Sequence, residues 1–183
     1  MVKADNNDSQ KITDTIIDYV TGKKIANIGP EISRQQFEKI LVEGKGYLKE
    51  DIRVDEKIKV MFKSEEYVST IDLVVFCSGK AFMGVKCVAG SLASYEREII
   101  AGSRLVYDYQ IPFSVSTNGM DALITNTITG ENFGRGIKGI PSKKEAEKLV
   151  LSLSYQPFPE KRKEREMIIF RSYNMDKVNS ECG

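Results

Sequence analysis

The stretch STIDLVVFCSGKAFMGVKCV, residues 69–88, contains two apolar runs separated by Ser78-Gly79-Lys80. Small and turn-forming residues between two apolar runs are typical of a β-hairpin, so we predict strands over 69–77 and 81–88. Strands with near-continuous apolar sequence are usually covered on both faces. This stretch therefore predicts a central sheet with helices packed around it.

Two charged residues interrupt these apolar runs, Asp72 in the first and Lys86 in the second. An isolated charge inside a sheet is costly unless it is paired or bound to a metal ion. Because the two strands are joined by a short turn, the two residues are natural partners. Two interpretations stay open: an Asp72–Lys86 ion pair, or the remains of an acidic metal site at a sheet edge.

The rest of the chain alternates helical and extended patterns around this hairpin. Apolar spacing, capping residues and breakers predict helices over about 31–43, 92–109, 142–153 and 160–173. Further strands are predicted over 51–62, 112–116 and 121–128. Residues 11–20 are predicted to form either a short helix or an extended lead-in to the first helix, and residues 134–139 a flexible connector. This order predicts an α/β fold with a central mixed sheet flanked by helices and a helical C-terminal extension.

The composition excludes several classes of protein. Of the 183 residues 41% are hydrophobic and 29% charged, which is typical of a globular domain and excludes a mostly disordered or collagen-like chain. The sequence has no histidine, so it cannot form a Ser-His-Asp triad or a histidine-ligated zinc site. A net charge of +1 does not by itself require a nucleic-acid partner.

Location and domain boundaries follow from the polar and breaking segments. The start, MVKADNNDSQ, lacks the pattern of a signal peptide, and no stretch approaches the roughly 18 apolar residues of a membrane span, so we expect a cytoplasmic protein without a membrane partner. Residues 1–10 are expected to be disordered. The breaking sequence Gln156-Pro157-Phe158-Pro159 is expected to separate a main domain, 11–155, from a helical tail, 156–183.

From Ile12 to Arg171 the chain resembles the N-terminal domain of type I restriction enzyme R subunits, in the PD-(D/E)xK nuclease superfamily. The matching stretches are DYVTGKK (18–24), RQQFEKILVEGKGYLKEDI (34–52), IDLVVFCSGKAFMGVKC (71–87), SRLVYDYQIPFSVSTNG (103–119) and ITG (128–130). The resemblance implies a restriction-endonuclease-like core and Mg²⁺-dependent cleavage of DNA, with two carboxylates that hold the metal and a lysine beside them. In the family a motor domain follows this one, so the implied partners are DNA and other restriction-system or helicase subunits.

The resemblance assigns site residues one by one. Asp72 matches the family aspartate and is the implied metal ligand, and Glu43 matches an acidic position often found beside the site. The third core strand departs from the family phrase VECKAPG, because Lys86 stands at the glutamate and Val88 at the lysine. We therefore expect Lys86 to occupy the metal's place and to neutralise Asp72.

The next helix departs from the family as well. Where many members have Gln-x-x-x-Tyr, this chain has Glu98 and Gly102. A rescue of the site is conceivable if Glu96 or Glu98 supplies the second carboxylate and Lys86 acts as a relocated lysine. The alternative for both glutamates is a solvated helix face.

Three functions follow from these observations. The leading one is a nuclease-fold domain of the R-subunit type with an impaired catalytic site, acting in DNA or partner binding. The alternatives are an active Mg²⁺-dependent endonuclease with a site of Asp72, Lys86 and a helix glutamate, and a structural assembly module without DNA binding. Basic residues in the C-terminal helices, such as Lys143 and Lys163, are interleaved with glutamates and give little independent support for DNA contact.

Overall fold

The computed structural model describes residues 14–62 and 64–174, so the predictions for residues 1–10 and for the chain after 174 lie outside the described residues. Its strands are β1 (Thr15–Ile17), β2 (Lys24–Ala26), β3 (Ile52–Phe62), β4 (Glu65–Cys77), β5 (Lys80–Cys87), β6 (Phe113–Thr117), β7 (Ala122–Asn126) and β8 (Asn132–Arg135). Its helices are α1 (Glu31–Lys39), α2 (Glu96–Leu105), α3 (Gly136–Gly139), α4 (Lys143–Val150) and α5 (Glu160–Ser172). A π-helical turn, Ile40–Gly44, extends α1, and Ala93–Tyr95 forms a 3₁₀ turn before α2.

The central sheet has six strands in the order β3-β4-β5-β6-β7-β8. All neighbours in it are antiparallel except β5 and β6, which are parallel. A parallel pair needs a crossover connection, and here α2 supplies it. The predicted α/β fold, with a mixed sheet flanked by helices and a C-terminal helix, is confirmed.

The hairpin of β4 and β5 forms because its turn residues tolerate an unusual backbone. Cys77 pairs with Lys80, which leaves Ser78 and Gly79 as the two loop residues. Their φ angles are 51° and 75°, the positive values that a tight type I′ hairpin turn requires. The turn sets the pairs next to it, and a β-bulge between Val75 and Phe76 then shifts the register by one residue farther along the strands.

Helices cover both faces of the sheet, as the apolar strands predict. On one face, Phe37 and Leu41 from the first helical segment share a core cluster with Ala146 of α4. On the other face, Ile99 of α2 and Phe170 of α5 share a second cluster with residues of β3 and β4. Every one of these five side chains is at most 2% exposed.

Two predictions of local structure are wrong or only partly right, and the structure decides between the two alternatives for residues 11–20. Of the helix predicted over 92–109, α2 covers only Glu96–Leu105. Beyond its end, the Tyr107 hydroxyl donates to Glu56 Oε1 of β3, and the Tyr109 hydroxyl accepts from the backbone N–H of Ala81 in β5. Residues 134–139 are not a flexible connector: they complete β8, which pairs with β7, and form α3. For residues 11–20 the extended alternative is confirmed over β1, which pairs with β2.

The C-terminal helix α5 packs against the sheet side that α2 covers. Glu166 of α5 accepts a hydrogen bond from Arg104 of α2 at 3.1 Å, and both side chains are buried. The predicted boundary between residues 155 and 156 stays a prediction. Across the described residues, no helix combines the length and apolar character that crossing a membrane requires.

Candidate functional site

The ion pair predicted between Asp72 and Lys86 is present. The register of β4 and β5 pairs Leu73 with Val85, which brings Asp72 across from Lys86. The Lys86 Nζ lies 3.3 Å from Asp72 Oδ1, and the backbone N–H of Cys87 donates to Asp72 Oδ2 at 2.7 Å. Both oxygens of the Asp72 carboxylate are thus engaged by β5.

Glu98 of α2 joins this pair from the helix side. Its Oε1 lies 3.5 Å from Lys86 Nζ, and its side chain is 3% exposed. The side-chain amide of Asn174, just after α5, donates to the same Oε1 at 3.0 Å. Lys86 therefore lies between two carboxylates that come from different elements.

The electrostatic environment keeps Lys86 protonated. Burial by itself lowers the pKa of Lys86, but Asp72 and Glu98 raise it, and the net pKa lies above the ordinary lysine value. A charge pair at these distances attracts by about 5 kcal/mol at an effective dielectric of about 20, before the desolvation cost is subtracted. At neutral pH the positively charged ammonium group of Lys86 therefore lies between the two carboxylates.

The space beside Gly102, where the family often has a tyrosine, is filled by α5. A Cβ atom at Gly102 would lie 3.0 Å from Phe170 Cε2 and 3.3 Å from Ile71 Cδ1. A tyrosine side chain does not fit while α5 packs in this position. The docking of α5 in this position thus favours a residue without a side chain at position 102.

A second charged cluster, which sequence reasoning missed, lies around Arg34 of α1. Its guanidinium contacts Glu31 at 2.6 Å, Asp55 at 3.2 Å, Asp18 at 3.3 Å and Glu38 at 3.9 Å, and its side chain is 4% exposed. Glu31 and Glu38 lie three residues before and four residues after Arg34 on one helix, so the sequence indicates these two ion pairs. The contributions of Asp18 and Asp55 come from distant segments of the chain.

Members of both clusters line a single cleft of about 650 Å³. Glu31 and Asp55 come from the Arg34 cluster, and Asp72, Lys86 and Glu98 from the other. The pairs Val54–Leu73 and Glu56–Ile71 on either side of Asp55 bring it across from Asp72. Asp55 has a φ of 53°, which is uncommon outside glycine and better tolerated by Asp than by most residues. The pKa of Glu31 is raised, mainly because its side chain is partly buried. Arg34 opposes this shift, and repulsion from Asp55 and Asp72 adds to it.

The structure does not bring two of the candidate residues to this cleft. Glu43 lies in the π-helical turn, accepts a hydrogen bond from the Tyr19 hydroxyl at 2.9 Å, and lines a separate depression with Lys39 and Lys138. Glu96 accepts a hydrogen bond from Thr125 Oγ1 at 2.6 Å, on the β7 side of α2. Of the predicted site residues, Asp72, Lys86 and Glu98 are together.

As arranged, this donor set does not fit a magnesium ion. Mg²⁺ requires oxygen ligands at about 2.0–2.1 Å in near-octahedral geometry. The position between the carboxylates of Asp72 and Glu98 is taken by the Lys86 ammonium group. Within residues 14–62 and 64–174, no three His, Cys, Asp or Glu side chains are grouped so that they could hold a metal ion.

Comparison with known proteins identifies the family. A family model described as "Type I restriction enzyme R protein N terminus" matches residues 29–141, more than half of the chain. The match includes α1, the β4–β5 hairpin with Asp72 and Lys86, and α2. Neither the curated proteins nor the solved structures gave a match. The chain belongs to the family of type I restriction enzyme R protein N-terminal domains.

Proposed function

We propose that this domain does not cleave DNA and acts by binding DNA or another chain of a restriction system. The observation that carries the proposal is the position of Lys86 Nζ, 3.3 Å from Asp72 Oδ1 and 3.5 Å from Glu98 Oε1. A permanent cation between the two carboxylates opposes the entry of a divalent cation by repulsion. It also supplies the charge compensation that a metal would otherwise give.

Nicking of supercoiled plasmid DNA in Mg²⁺ or Mn²⁺ tests the proposal. We expect no nicking by the wild type or by Asp72→Ala, because neither holds a metal in the cleft. Nicking by the wild type that is lost in Asp72→Ala would contradict the proposal.

A restored site is the complementary test. Val88 is 3% exposed and lines the same cleft, so Lys86→Glu combined with Val88→Lys rebuilds the family's Glu-x-Lys pattern there. We expect Mn²⁺ to raise the melting temperature of this variant and not that of the wild type. The matched control, Lys86→Gln with Val88→Lys, lacks the second carboxylate and is expected to show no such rise.

Binding assays separate the two parts of the proposed role. Affinity for a short DNA duplex that falls steeply with rising salt supports DNA binding, because phosphate contacts release counterions. If the chain binds no duplex, binding to another subunit of a restriction system becomes the favoured role.

A second candidate function is an Mg²⁺-dependent endonuclease that uses Asp72, Lys86 and Glu98. The observation that favours it is the presence of the buried Glu98 at the cleft, where the family's strand glutamate is replaced by Lys86. The plasmid assay distinguishes the candidates, and Glu98→Gln must then abolish nicking as Asp72→Ala does.

A further inference from the structure

Three basic residues of the C-terminal helices are engaged within the fold. Lys143 pairs with Asp51 at 2.7 Å, and Lys163 pairs with Glu160 at 2.6 Å. Arg162 lies over the ring of Phe158, 5.5 Å from its centroid. A surface that binds anions has to use other cations.

Five other lysines form what we call the lysine surface: Lys39, Lys45, Lys49, Lys138 and Lys148. They line three adjoining surface depressions, of which Lys39 lines two and Lys138 lines two. Within residues 14–62 and 64–174, the lysines that form ion pairs are Lys59, Lys86, Lys143 and Lys163. None of the five lysines of this surface is among them, so no carboxylate of the described residues lies within 4.0 Å of their ammonium groups.

One half of the lysine surface is built around Tyr19. The ammonium groups of Lys49 and Lys39 lie 4.2 and 5.8 Å from the centroid of its ring. The Lys49 ammonium also donates to the Tyr19 backbone carbonyl. Both cations are thus brought together by contacts with one tyrosine and stay exposed to solvent.

The other half joins the π-helical turn to α3 and α4. Lys45 Nζ donates to the backbone carbonyl of Lys138 at 3.4 Å. Lys138 lines a further depression with Lys148. Glu145 lines the same depression as Lys138 and Lys148.

The carboxylates of the same depressions are already hydrogen-bonded. Glu43 accepts from the Tyr19 hydroxyl at 2.9 Å, and Glu145 accepts from Ser142 Oγ at 2.7 Å. Asp18 is 1% exposed and accepts from Thr21 and Gln35. Five lysines against three carboxylates leave an excess of positive charge on this surface.

We propose that the lysine surface binds the phosphate backbone of double-stranded DNA. It is distinct from the Asp72 cleft, because Glu31 at the start of α1 lines the cleft and Lys39 at its end lines the lysine surface. The eight residue steps from Glu31 to Lys39 correspond to a rise of about 12 Å along the helix. The inference rests on the DNA-binding part of the proposed function and gives it a location, since the carboxylate-rich cleft repels phosphates.

Fluorescence anisotropy with a short labelled duplex, at several salt concentrations, tests this inference on the 183-residue chain. The test variant carries Lys39→Gln, Lys45→Gln and Lys138→Gln. We expect weaker binding and a slope of log affinity against log salt that is shallower by about 3, since each lost phosphate contact removes about 0.9 from the slope. Poly-glutamate that binds the wild type more tightly than the duplex would assign the surface to an acidic protein and overturn the inference.

The matched control carries Lys57→Gln, Lys161→Gln and Arg165→Gln, three exposed cations outside the lysine surface with the same total charge change. We expect its slope to stay near that of the wild type. If the two triple variants lose affinity equally, net charge explains the loss. The inference that the lysine surface is the DNA-binding site is then overturned, although DNA binding itself stands. If the wild type binds no duplex, both the inference and the DNA-binding part of the proposed function fail.

Discussion

The side-chain amide of Asn174 donates a hydrogen bond to Glu98 Oε1 at 3.0 Å, the same oxygen that lies 3.5 Å from Lys86 Nζ. Asn174 also accepts from Ser69 Oγ at 3.1 Å and is 2% exposed. The end of α5 therefore helps to hold the helix carboxylate in contact with the strand lysine. The candidate site is a product of three segments that are far apart in the sequence.

Removal of the Lys86 charge should destabilise the fold strongly. Lys86→Met removes the ammonium group that contacts the half-buried Asp72 carboxylate and the buried Glu98 carboxylate, and loss of one partner from a buried pair costs about 3 kcal/mol or more. Urea unfolding measures the change. Lys59→Met is the control, because the exposed Lys59–Glu66 pair contributes at most about 1 kcal/mol. Equal small losses in both variants would mean that the cleft pair is effectively solvated.

Loss of the Asn174 side chain should loosen α5. Asn174→Ala removes hydrogen bonds to Glu98, Ser69 and the Phe170 carbonyl, each worth about 1 kcal/mol. We expect a loss of about 2 kcal/mol in the free energy of unfolding. Ser172→Ala, which removes one exposed bond to Ile169 at the same helix end, should cost well under half as much.

Glu38 should make stability depend on pH between about 4.5 and 7. Burial first, and then repulsion from Asp18, raises the pKa of Glu38 to about 7, although Arg34 opposes the shift. Because the folded chain takes up this proton at a higher pH than the unfolded chain, stability rises as pH falls from about 7 to about 4.5, by up to about 3 kcal/mol. Glu38→Gln should remove this slope and stabilise the protein at pH 8. Urea unfolding at pH 5, 6.5 and 8 measures it, and an unchanged slope in the variant would assign the effect to other groups.

Gly84 should be required by the close approach of α2 to β5. A Cβ at Gly84 would lie 2.4 Å from Ser103 Oγ, a buried hydroxyl without a hydrogen-bond partner in the described structure. Gly84→Ala should therefore destabilise the fold by about 1–3 kcal/mol. Ser103→Ala removes the obstructing atom, so the double variant should recover most of that loss in a double-mutant cycle. Additive effects would show that the two residues do not contact each other.

The candidate site could be predicted from the sequence only where local geometry sets it. The sequence offers two glutamates on the helix, Glu96 and Glu98, and only the position of α2 on the sheet decides that Glu98 lies at the cleft. Glu43 was matched by position along the chain, but the π-helical turn that contains it lies beside Tyr19. The partners Asp18 and Asp55 of Arg34 could not be predicted, because their contacts form only when β3 and the β1–β2 hairpin pack against α1.

The sequence by itself determined the β4–β5 hairpin and made Asp72 and Lys86 natural partners, because they are the lone charges of two apolar strands joined by a short turn. Their exact opposition also needs the β-bulge between Val75 and Phe76, since the register of the turn alone would bring Asp72 across from Val85. Only the tertiary structure decided that Lys86 lies between two carboxylates and that Phe170 fills the space beside Gly102. Those contacts join α2, α5 and the sheet, and their positions depend on side-chain packing between elements that no local pattern encodes.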